Sequence, residues 1–117
     1  MNDVAGNDAP DLLLDAEEFA RRRGWSVESL VKACKAHRVF CLESEGVALY
    51  PAFFVDPSYK VRQLEVVSRQ LGALPGGSKW QFFITGKGSL GGLTPLQALV
   101  AGNYAAVMRA AEGFRER

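Results

Sequence analysis

A chain of 117 residues with 14 basic and 13 acidic side chains is sized for one compact domain or two small units sharing a core. Its net charge of +1 excludes binding by bulk electropositivity, so any contact with nucleic acid has to come from a local basic cluster. Two cysteines, Cys34 and Cys41, are too few for a disulfide framework, and no apolar run reaches the roughly 18 residues of a membrane span.

Residues 1–11 are polar and acidic where a signal peptide is basic and then apolar, and they are expected to form a disordered tail on a cytoplasmic protein. Leu12-Leu13-Leu14 leads into a first helix over Ala16 to Arg23. Asp15 is its N-cap, Glu18 completes a D-x-x-E capping box, and Gly24 is a left-handed stop. Ser26 caps a second helix running to about His37, with Val27, Leu30, Val31 and Cys34 on its apolar stripe. Its other face carries Glu28, Ser29, Lys32 and Lys35. Two helices joined by so short a turn make a helix-turn-helix-like corner.

Val39 to Leu42 and Val47 to Tyr50 flank the polar turn Glu43 to Gly46 and read as a β-hairpin, closed by Pro51. After the apolar segment Ala52 to Val55, Asp56-Pro57-Ser58 turns into a third helix with Val61, Leu64, Val67 and Leu71 buried. Asp56 reads as a helix cap. Pro75-Gly76-Gly77-Ser78 breaks the chain. A short fourth helix follows from Lys79 to about Thr85, dense in large residues: Trp80, Phe82, Phe83 and Ile84. The glycine-rich loop Gly86 to Gly92 leads to Thr94-Pro95, a strong helix start, and to a helix lined by Leu96, Leu99 and Val100. Gly102-Asn103 interrupts it before a last helix to about Phe114. The expected fold is α+β, mainly α: a winged helix-turn-helix-like head over residues 12–56 and a helical module over 57–117.

Arg21, Arg22 and Arg23, followed by Lys32, Lys35 and Arg38, make the head locally basic. In a helix-turn-helix the second helix enters the major groove. Ser26, Glu28, Ser29 and Lys32 are then placed for bases, and Lys35 with the arginines for phosphates. The hairpin is the wing, with an acidic tip, Glu43 and Glu45, that disfavours phosphate contact. Solvated helix faces carry similar charges, so the pattern alone leaves both readings open.

Residues 79–111 resemble the toxin-binding domain of Xre/MbcA/ParS-type antitoxins. The resemblance rests on Leu90-Gly91-Gly92, Thr94-Pro95-Leu96, Leu99, Gly102 and Val107. Asp15 to Pro51 is similar to the minimal winged head of MerR and excisionase proteins. These resemblances imply a bacterial regulator that touches DNA at one end and self-associates or binds a cognate toxin at the other. Trp80, Phe83, Leu90, Gly91, Gly92, Thr94 and Pro95 are the expected partner-binding residues, and Trp80 to Ile84 is the expected homodimer contact. The alternative is a neutralising protein that binds a partner without DNA.

No enzyme chemistry assembles in the sequence. His37 is the single histidine and cannot complete a zinc tetrahedron with two cysteines. Cys34 and His37 lie one helical turn apart, but Cys34 belongs to the apolar stripe. Gly86-Lys87-Gly88-Ser89 lacks the spacing of a phosphate loop and follows a helix. No cofactor is expected.

Overall fold

The computed structural model describes residues 12–116, and the tail expected over residues 1–11 lies outside them. Helix α1, Ala16–Arg23, begins where the Asp15 carboxylate accepts the Glu18 backbone N–H at 2.8 Å, and it ends at left-handed Gly24. Glu18 turns its own carboxylate to Arg21 and Arg22 instead of back to Asp15. Ser26 caps α2, Val27–Lys35, which ends before His37 because that residue takes a left-handed backbone, φ 62°.

The buried stripe of α2 is rotated from the expected one. Leu30 and Ala33 face the core and Cys34 is half-buried, whereas Val27 and Val31 are exposed. Ala33 is fully buried, so a larger side chain there would have to displace packed neighbours.

Strands β1, Leu13–Asp15, β2, Leu42–Ser44, and β3, Val47–Pro51, form an antiparallel sheet in the order β1-β3-β2. Glu45 and Gly46 both have positive φ and make the two-residue hairpin turn whose twist suits the strands. This tight turn starts β2 later than expected, and Val39 and Phe40 are core side chains outside any strand. The segment read as an approach to α1 is itself a strand, with Leu14 opposite Tyr50.

A 3-10 turn, Ala52–Val55, sends Phe53 and Phe54 inward. Asp56 does not cap the helix that follows, where Lys60 holds the N-cap position. The Asp56 carboxylate accepts the Ser58 N–H at 2.8 Å and closes a local turn. Helix α3, Val61–Leu71, buries Leu64, Val67, Ser68 and Leu71, and the Ser68 hydroxyl donates to the His37 carbonyl at 2.7 Å. Helix α4, Gly76–Ile84, starts earlier than the glycines suggest, with Pro75 in the N-cap position.

Helix α5, Pro95–Val100, carries a full capping box between Thr94 and Gln97. It buries Ala98 and Leu99 and leaves Val100 exposed, so the expected lining is turned by one residue. Thr94→Ala is expected to lower stability by about 1 kcal/mol with unchanged helix content, read as a lower urea midpoint. Helix α6, Tyr104–Arg115, packs along α3.

The core is continuous through aromatic rings. Phe19 meets Phe54, Phe54 meets Phe53, and Phe53 lies 4.9 Å from Phe83, centroid to centroid. Phe83 then meets Phe82, and Phe82 meets Phe114. This chain of contacts crosses the boundary between residues 56 and 57, tying the head to the C-terminal helices.

Candidate nucleic-acid interface

The turn between α1 and α2 is fixed by Trp25, which packs edge-on against Phe19 and lies under the Arg23 guanidinium at 3.9 Å. Arg23 Nη2 donates to Glu65 Oε2 of α3 at 2.7 Å, with both side chains nearly buried. Arg23 therefore fastens the head to α3 and does not face a ligand. The other two arginines of the run are exposed, but both bind the Glu18 carboxylate. Arg21 first, and then Arg22, hold that carboxyl down at about 2. Two guanidiniums and one carboxylate sum to +1, so Arg21 and Arg22 together present one net positive charge to solvent, not two.

On α2 the arrangement is different. Glu28, Lys32 and Lys35 are exposed with Val27 and Val31, and together they border a shallow concavity of about 330 Å³. Among the described residues, neither Lys32 nor Lys35 is paired with a carboxylate. Ser26 is committed to its cap and bonds Ser29 at 3.1 Å, oxygen to oxygen, so these serines order the N-terminus of α2. Arg38, just past α2, reaches Glu65 at 3.8 Å and remains about a third exposed. Glu43 and Glu45 stand exposed on the hairpin.

The C-terminal residues fall into two groups. Phe83, Leu90 and Pro95 are buried, so their role in any contact is to shape the surface from beneath. Trp80 is half-exposed beside Phe53, Ile84 and Leu96, along an apolar groove of about 280 Å³. Gly91 and Gly92 are exposed at the end of a 3-10 turn, Gly88–Leu90, with φ of 68° and 88°, which explains two adjacent glycines without invoking a ligand. Lys87 anchors the loop, its ammonium lying about 5 Å from the rings of Phe82 and Phe114.

Sequence patterning missed Lys79, a lysine on the buried face of α4. Its side chain is 2% exposed and points toward the Phe40 ring, 5.9 Å away, and burial holds its amine down to about 8. Burial also pushes the Cys34 thiol up. An activated nucleophile requires the opposite shift. Among the described residues, no group of three or more His, Cys, Asp or Glu side chains is placed to hold a metal ion, and no helix is long and apolar enough to cross a membrane.

Comparison with known protein families, with characterised proteins and with solved structures found no match.

Proposed function

We propose that this protein is an antitoxin-like DNA-binding regulator that presents α2 to the major groove and the C-terminal helices to a protein partner or a second copy of itself. The observation that carries this reading is the exposed face of α2. Among the described residues Lys32 and Lys35 stand there without carboxylate partners, beside two exposed valines. A helix of this kind offers cations to phosphates and apolar groups to thymine methyls. Val27 and Val31 are unfavourable in water, and a groove contact gives them an apolar neighbour.

Fluorescence anisotropy with duplex DNA at stepped salt tests the reading. Binding is expected at low salt, and Lys32→Ala/Lys35→Ala is expected to weaken it by roughly tenfold or more. No binding by the wild type at the lowest salt sinks the proposal.

The second reading, a neutralising protein that leaves DNA alone, is favoured by the Glu18 pairing that offsets one of the two charges of Arg21 and Arg22 and by the acidic hairpin tip. The apolar groove beside Trp80 and Ile84 serves either reading. Recovery of one stoichiometric protein partner together with absent DNA binding selects the second. A strict monomer in light scattering at high concentration removes self-association.

A further inference from the structure

The positive charge of the head continues onto α3. Glu65 there takes Arg23 Nη2 at 2.7 Å and Arg38 Nη1 at 3.8 Å. Arg62 and Arg69 stand three residues before Glu65 and four after it, which puts all three on one helical face. Arg38, Arg62 and Arg69 wall an open concavity of about 300 Å³ with Glu65 and Val66, and Glu65 is the one carboxylate in that lining. Arg23 and Arg38 already share that carboxylate, so among the described residues Arg62 and Arg69 bring positive charge to the concavity with no carboxylate paired to either.

We propose that Arg38, Arg62 and Arg69 form a seat for a phosphate group, either the phosphodiester of a bound strand or free phosphate. Guanidinium forks match the spacing of phosphate oxygens and bind them in pairs. A tetrahedral anion can meet more than one arm of the cluster at once. For the phosphodiester, the proposal rests on the reading of α2 as the DNA-facing helix. Arg38 follows Lys35 by only three residues, which places their α-carbons within about 11 Å. Phosphates recur every 3.4 Å or so of axis along each strand, so a strand touching Lys35 brings another phosphate toward Arg38.

Two measurements separate the sources. In the first, the salt dependence of duplex binding is compared for the wild type, Lys32→Ala/Lys35→Ala and Arg62→Gln/Arg69→Gln. Both arginines are exposed, and unchanged circular dichroism checks that the variant folds. A seat on the strand predicts roughly tenfold weaker binding at low salt for the arginine variant, with a salt slope shallower by about 2. In the second, inorganic phosphate is titrated into ¹⁵N-labelled protein against a chloride control. Saturable movement of the Arg38, Arg62 and Arg69 Nε signals assigns the seat to free phosphate. Wild-type DNA binding that the arginine variant fully retains, with no phosphate-induced shifts, overturns the seat and leaves the α2 reading intact. Absence of wild-type DNA binding overturns the α2 reading, and the phosphate titration then decides the seat alone.

Discussion

Lys79→Met is expected to stabilise the protein at neutral pH by about 2 kcal/mol, a sign opposite to that of most core substitutions. The amine sits within the core, and among the described residues no carboxylate pairs with it. A depression from 10.5 to about 8 corresponds to roughly 3 kcal/mol of cost for keeping the charged form folded, part of which relaxation absorbs. Methionine keeps most of the stem volume and removes the charge. The pH dependence follows from linkage. Between about pH 8 and 10.5 the unfolded chain holds the lysine proton and the folded chain has released it, so this group makes stability rise with pH across that window. Below pH 8 both states are protonated and the full penalty is present.

The wild-type curve is not a clean readout, because Cys34, Cys41 and Tyr50 are all pushed up, first by burial, and contribute stability that falls away at high pH. The difference between wild type and Lys79→Met removes most of that common background. Urea unfolding at pH 7 and near pH 10 is expected to show the advantage of the variant shrinking as pH rises. A variant less stable than the wild type at pH 7, or an advantage that grows with pH, contradicts a charge held in the core without a partner.

What was legible in the sequence is what short-range chemistry decides. Asp15, Ser26 and Thr94 each cap a helix by binding a backbone N–H three residues on, and the partners are in view of one another along the chain. The mainly helical fold with one hairpin follows from the same local signals. Pairings made across the fold were not legible. β1 exists because Leu14 lies opposite Tyr50, and three residues are too few to show a strand period. On α2, spacing establishes that an apolar stripe exists, but which of its residues face inward depends on the elements packed against it, and it is Ala33 that is buried and Val31 that is exposed.

The same limit applies to the interface. Three consecutive arginines look equivalent in sequence, yet Arg21 and Arg22 share a carboxylate one turn away on their own helix, while Arg23 is matched to Glu65 on α3. A count of charges along the head therefore overstates α1 and passes over Arg62 and Arg69. Charge becomes a surface only when the carboxylates are placed. Here their placement shifts the basic side from α1 toward α2 and the exposed edge of α3.

Gly76→Ala and Gly77→Ala are expected to move stability in opposite directions, although the two glycines are adjacent in the first turn of α4. Alanine is favoured over glycine in a helix by up to about 1 kcal/mol, and nothing lies within 4 Å of a β-carbon at Gly77. Gly77→Ala is therefore expected to raise the urea midpoint slightly. At Gly76 a β-carbon falls 1.8 Å from the Cys41 carbonyl oxygen and 2.9 Å from its carbon. Both atoms are backbone, so no side-chain rotation relieves the overlap. The helix has to withdraw, and α4 carries Lys79, Phe82 and Phe83 into the core, where Phe83 stacks on Phe40 and meets Phe53. Interiors packed to crystal density transmit such a displacement instead of absorbing it. A net loss of about 3 kcal/mol is expected for Gly76→Ala, the upper end of the overpacking range, after the helical gain is subtracted. Equal effects at the two positions would show that α4 does not rest on the Cys41 backbone. The opposite signs would place the cause at that contact, because helix propensity is common to both substitutions.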